Sequence, residues 1–310
     1  MLTLLITLIA APPASIAKDA KSARPLIKSA LGNMFLDAAA SLPTIAARTL
    51  HHNADKSRWY TQAERDRLPK AEQAGLTAFE VDAEKYYTTK YGSPISYARP
   101  LEVLSAHGLS ALKGKKVLDF GYGYVTHLAM FRTMGADASG VDVDPMLRTL
   151  YSEERVRLHH GRFPADASIV RDVGVGFDLI ISKNVLKRGY IHPERPADPK
   201  KLIDLGVTDE KFLAALNAAL KPGGLMLVYN LFPAQAPSDK PYIPWADGRS
   251  PFTKAQWEAA GFTVIAFDVN DDANIRALAH ALGWDQPEDG EPGMDLEHDL
   301  FALYSLFKKR

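Results

Sequence analysis

Cysteine is absent from this 310-residue chain. That excludes disulfides, thiolate metal sites and a cysteine nucleophile, and leaves the compartment open. Net charge is absent as well: 37 acidic residues balance 37 basic ones. No global field gathers a polyanion, which makes nucleic acid a poor partner. No apolar run reaches the roughly 20 residues that span a bilayer, and no segment repeats. What is present is an ordinary globular composition, 46% hydrophobic and 24% charged, which argues against disorder and against a multi-span membrane protein. The length suits one large domain, or one domain with a helical extension.

The chain opens on an apolar run from Leu2 to Ala11, then Pro12, Pro13 and small residues to Ala17, with Lys18 and Asp19 beyond. Residues 1–17 read as a secretory signal peptide cleaved after Ala17, implying an exported, periplasmic protein. The missing basic residue ahead of the run argues for the cytoplasmic alternative. From 18 to 97 the sequence reads as a helical extension, rich in Ala, Lys, Glu and Arg. Thr61 with Glu64, and Thr77 with Glu80, have capping-box spacing. The second of these predicts a helix carrying Phe79, Val81, Tyr86 and Tyr87, broken by Gly92 and Pro94. Tyr86, Tyr87 and Tyr91 would either cover a ligand pocket or simply pack the helices. Pro100 suits the first turn of a helix through His107, closed by Gly108.

After Gly114 the texture changes to short apolar runs separated by helical segments, the pattern of a parallel sheet. The expected strands are Lys116 to Phe120, Ala138 to Val143, Val156 to His159, Phe177 to Ser182, Leu225 to Asn230, Phe262 to Phe267 and Leu300 to Phe307. Thr208 with Asp209 and Glu210 starts a helix that runs to Leu220, and Lys221-Pro222-Gly223-Gly224 turns the chain into the next strand. The acid-rich stretch from Asp285 to Asp299 reads as a solvated loop.

The chemistry concentrates where Val117-Leu118-Asp119-Phe120-Gly121-Tyr122-Gly123-Tyr124 leaves the first of these strands. Glycine there tolerates positive φ and lets a ligand lie against the backbone. About 20 residues on, Gly140-Val141-Asp142 places a carboxylate to accept from ribose hydroxyls. A nicotinamide-dependent oxidoreductase is the rival reading. Its fingerprint needs a small residue three positions after Gly123, where this chain has Thr126, and Asp119 would repel a pyrophosphate. A cationic ligand would instead be attracted.

At these residues the chain resembles the class I S-adenosylmethionine-dependent methyltransferase family, over about Pro100 to Phe307. The motifs are the glycine turn at 117–123, Gly-Val-Asp at 140–142, Phe-Asp-Leu-Ile-Ile-Ser at 177–182 followed by Asn184-Val185-Leu186, and Leu-Lys-Pro-Gly-Gly at 220–224. The resemblance implies an α/β, Rossmann-like, seven-stranded and mostly parallel sheet with helices on both faces, the last strand antiparallel, in a domain spanning 98–310. It implies S-adenosylmethionine as cofactor, with Asp119, Phe120, Gly121, Tyr122 and Gly123 around the methionine part, Asp142 on the ribose and Val143 on the adenine. Ser182 and Asn184 would line the same pocket. The chain departs from the family at Lys187-Arg188, where an acid and a histidine are common, and at Arg162, where an acid near the adenine was expected; Asp166 is its weak substitute.

Methyl transfer from a sulfonium relies largely on positioning. If the acceptor carries a proton, a base within hydrogen-bond reach helps. His127 and His192 are the candidates. Tyr190, Trp245 and Arg249, with Tyr86 and Tyr87, are candidate substrate contacts, the 242–249 segment being either a substrate-facing loop or a plain surface turn. The pairs His51-His52 and His159-His160 lack ligand spacing, so no metal is expected. The sequence thus predicts methyl transfer to a small molecule, with a catalytically silent binding or scaffold protein as the alternative.

Overall fold

The computed structural model describes residues 14–88, 92–287, 290 and 292–310. The apolar run Leu2 to Ala11 and Tyr91 lie outside them. The chain is helical over Ala14–Ala23, so the junction after Ala17 falls inside a helix whose Ile16, Ala20 and Ala23 are buried. A second helix, Ala30–Ala38, is capped by the Ser29 hydroxyl.

The extension is not helical throughout. Strands β1 (Arg48–His52), β2 (Trp59–Thr61) and β3 (Thr77–Val81) form a small antiparallel sheet in the order β2-β1-β3. Thr61 forms its capping box with Glu64 as expected. Thr77 does not: it pairs with His52, and Glu80 accepts from the Thr49 hydroxyl at 3.0 Å across the ladder. A cap contributes only about 1 kcal/mol. Thr, Phe and Val at alternate positions of this segment favour the pleated ladder, whose side-chain pairs outweigh it. The helix begins later, at Ala83–Thr88.

The large sheet follows the expected runs. Its strands are β4 (Lys116–Phe120), β5 (Asp137–Asp142), β6 (Arg157–His160), β7 (Phe177–Lys183), β8 (Leu220–Phe232), β9 (Phe262–Asn270) and β10 (Phe301–Lys309). They lie in the order β6-β5-β4-β7-β8-β10-β9. β4 to β8 are parallel, while β10 runs antiparallel to both β8 and β9. The Lys-Pro-Gly-Gly turn survives as a bulge: the ladder from β7 jumps from Leu220 to Leu225, with Gly223 at φ +74°.

Helices cover both faces. One face packs Phe131, Ile181 and Leu227 against Ile16, Phe35 and Leu101, so the N-terminal helices share its hydrophobic cluster. The other packs Phe177, Ile180, Phe212, Trp257 and Phe307. Trp257 stacks on Phe307 at 3.8 Å. Among the described residues no helix is long and apolar enough to cross a membrane.

Candidate functional site

β5 and β6 lie on one side of β4, β7 and β8 on the other. Open sheets hold ligands beyond the strand carboxyl ends at such a reversal. A cavity of about 260 Å³ opens there. Its wall is Phe120 to Tyr124, Val141 to Val143, Gly161 to Phe163 and Lys183 to Val185, completed by Tyr97 and Ile203 to Leu205.

The glycine turn is shaped for close approach. Gly121 sits at φ +79°, and a Cβ there would stand 2.3 Å from Val185 Cγ2. The Gly123 amide donates to Asp142 Oδ2 at 3.1 Å. The amides of Val143 and Asp144 donate to Oδ1 at 2.7 and 2.9 Å. Burial raises the Asp142 carboxyl, and these amides oppose the rise. Oδ2, with one donor, keeps acceptor capacity. Val143 is 65% exposed, an apolar surface beside that carboxylate. Asn184 takes the left-handed conformation at φ +67°, a strained state that surrounding contacts must hold. Its amide donates to Tyr229 O at 3.0 Å, and its Oδ1 accepts from the Leu231 amide at 2.7 Å.

Behind the wall lies a polar knot. Asp119 Oδ2 accepts from the Tyr97 hydroxyl at 2.6 Å and from His127 Nε2. The Tyr97 and His127 rings stack at 3.8 Å. Burial pushes the His127 imidazole below 6.5, although the neighbouring carboxylate opposes it. At the cavity edge of this knot stands Lys183, driven down to about 8 by burial, with Asp119 pulling it back. Lys187 is buried too; its Nζ donates to Leu231 O and Trp245 O at 2.5 and 3.1 Å. Burial, then Lys183, lowers it to about 7.

Of the residues nominated for cofactor contact, Phe120, Gly121, Tyr122, Gly123, Asp142, Val143 and Asn184 line the cavity. Asp119 and Ser182 do not: both are fully buried beneath the lining. Asp119 belongs to the knot, and its charge reaches the cavity only through the field. Neither histidine lines the cavity. His127 is fully buried against Asp119, and His192 pairs with Asp209 at 3.0 Å outside it. Tyr86 and Tyr87 are packing residues; their hydroxyls donate to Glu154 and to Pro43 O. Tyr190, Trp245 and Arg249 are not part of the wall. Arg249 is spent on Asp247 at 2.6 Å, within the 242–249 loop, and on Glu194 at 2.9 Å, which ties that loop to the segment after β7. His51 and His52 bond to Gln62 and to the Asn53 carbonyl; among the described residues no acid and histidine group is placed to hold a metal.

Sequence reasoning missed Tyr97, Tyr124, Lys183 and Asp204. Lys183 had a signal: Ile181 pairs with Asp119, so strand alternation puts 119, 181 and 183 on one face. Reading β7 one residue longer would have found it. On the β6 side of the cavity the lining carboxylate is Asp204, 3.7 Å from Arg162; Asp166 is not in the wall and accepts from the Arg162 amide. Nothing in the sequence links positions so far apart.

No protein-family model and no curated protein matches the chain. Among solved structures it is similar to a TehB-like S-adenosylmethionine-dependent methyltransferase from Corynebacterium glutamicum, at 20% identity over 69% of this chain and 96% of that one, with TM-score 0.36. It is similar to an S-adenosylmethionine-dependent methyltransferase from Mesorhizobium loti, at 16% identity over 69% and 98%, with TM-score 0.38. The (4+2)-cyclase SpnF is similar over 97% of both chains, at 15% identity and TM-score 0.40. The strand order, not these distant likenesses, identifies the architecture. The chain has the Rossmann-like methyltransferase fold.

Proposed function

We propose that this protein transfers a methyl group from S-adenosylmethionine to a small-molecule acceptor. The observation that carries the reading is the Asp142 carboxylate, fixed by three backbone amides beside an uncovered apolar Val143 and a glycine turn with no room for a Cβ. When bound, S-adenosylmethionine supplies a methyl group activated by a positive sulfur. The protein's part is positioning: Asp142 Oδ2 accepts from a ribose hydroxyl, Val143 packs on adenine, and Gly121 to Tyr124 hold the methionine part. Asp119 adds negative potential from behind, which favours a cation. The rival pyrophosphate ligand is disfavoured because the start of helix Thr126–Thr133 is covered: Thr126 is fully buried and its hydroxyl donates to Tyr87 O at 2.6 Å.

Calorimetry with S-adenosylmethionine tests the reading. Binding is expected in the wild type, weakened roughly 10- to 100-fold by Asp142→Asn, which removes a charged acceptor. The absence of heat at high cofactor concentration would refute it. Export is proposed from the composition of the first 17 residues; the intact mass of the protein made in its own cells, starting at Lys18 or at Met1, decides it.

A further inference from the structure

Lys183 closes β7, lines the cavity and is only 7% exposed. Lysine almost never lies buried without a partner. Yet among the described residues its Nζ makes no salt bridge and no hydrogen bond; it rests 5.2 Å from the centre of the Tyr97 ring. The groups around it come from every neighbouring element. Burial drives the proton off and Asp119 on β4 holds it on, while the charge of Lys183 in turn lowers the buried Lys187 after β7. His127 is kept neutral, and Tyr97 and Tyr229 are kept protonated, by burial. Tyr229, the ladder partner of Lys183, donates to Asp271, which is itself paired with Arg99. Asp142 stands across the cavity with its amides. The ammonium of Lys183 is thus left to compete with any other cation that enters.

We propose that Lys183 is the proton acceptor of this site: it is a neutral amine while a sulfonium occupies the cavity, and it takes up one proton when the sulfonium becomes a thioether. The proposal rests on the methyl-transfer reading above. In that exchange the acceptor's lone pair forms the new bond to carbon, the carbon–sulfur electron pair stays with sulfur, and the acceptor's proton passes to the lone pair on Nζ. Positive charge moves from sulfur to nitrogen and the total within the cavity is unchanged. No charge has to cross a poorly solvated wall, where an uncompensated one is costly.

The two complexes that bracket the reaction test this without knowledge of the acceptor. Proton release is measured calorimetrically at pH 8 in two buffers of different ionisation enthalpy, once with S-adenosylmethionine and once with S-adenosylhomocysteine. With Nζ at about 8, half the molecules carry the proton. The sulfonium is expected to expel about 0.5 proton per site and the thioether none. Between pH 7 and 8 the preference for the sulfonium over the thioether rises by about fivefold, as the neutral fraction of the amine grows from roughly a tenth to a half. In Lys183→Met both ligands bind, the difference in proton release vanishes and the preference becomes flat with pH. Equal proton counts for the two ligands in the wild type overturn the proposal. So does a difference that survives in Lys183→Met, which assigns the proton to another group such as Lys187. Failure of both ligands to bind refutes the methyl-transfer reading itself, and the proposal with it.

Discussion

If Lys183 is kept for chemistry, the fold carries it at a cost, and Lys183→Met is expected to make the protein more stable. In the unfolded chain this amine holds its proton up to about 10.5, whereas burial in the cavity wall lowers it to about 8. At 1.4 kcal/mol per pH unit that fall corresponds to about 3 kcal/mol. The sign follows from proton counts. Between pH 8 and 10.5 the unfolded chain binds more protons than the folded one, so stability rises with pH across that window. Below pH 8 both forms are protonated and the full cost is present. Methionine has nearly the shape of lysine and no charge, and its thioether packs against aromatic rings such as Tyr97. The gain is therefore about 3 kcal/mol at pH 7, about half of that near pH 9.5, and nothing above 10.5. Urea denaturation at pH 7 and 9.5 reads it directly from the midpoint at constant slope. A variant no more stable than wild type at pH 7, or a gain that is the same at both pH values, refutes the reasoning.

Gly121→Ala is expected to cost roughly 2–5 kcal/mol, combining left-handed strain with overpacking against Val185. Adding Val185→Ala restores the overpacking share, and equal destabilisation of the single and double variants in urea would show that the 2.3 Å approach is not the cause. Asp142→Ala strips acceptors from three amides at once, so it lowers the thermal midpoint as well as cofactor binding; unchanged stability would show that the carboxylate does not hold the turn. Burial depresses His160 to about 4 and holds His159 and His127 below 6.5. The unfolded chain then binds more protons below pH 6.5, and stability falls as pH drops from 6.5 towards 4. His160→Gln is expected to flatten the thermal midpoint across that range, and an unflattened profile removes His160 from the account.

Much of the site could be read because its signals are local. A turn that needs positive φ selects glycine at 121 and 123, and an apolar run selects a strand wherever its neighbours are placed. The small N-terminal sheet was hidden for the opposite reason. Thr77 and Glu80 carry a local helix signal, and only pairing with β1, some 30 residues earlier, overrules it. Distance also decided the fate of the histidines. His127 begins a helix next to the glycine turn, a natural place for a base, but the Tyr97 ring stacks on it and Asp119 takes its proton donor. Arg249 reads as a free cation and is occupied by Asp247 and Glu194.

By itself, then, the sequence determined the sheet, the glycine turn and the position of Asp142, because backbone conformation and apolar periodicity are written over a few adjacent residues. Only the tertiary structure decided which polar groups stay exposed to a ligand. Tyr97, Lys183 and Asp204 meet at one cavity from three separate segments. The burial that leaves Lys183 unpaired depends on strands and helices packed around it from across the chain.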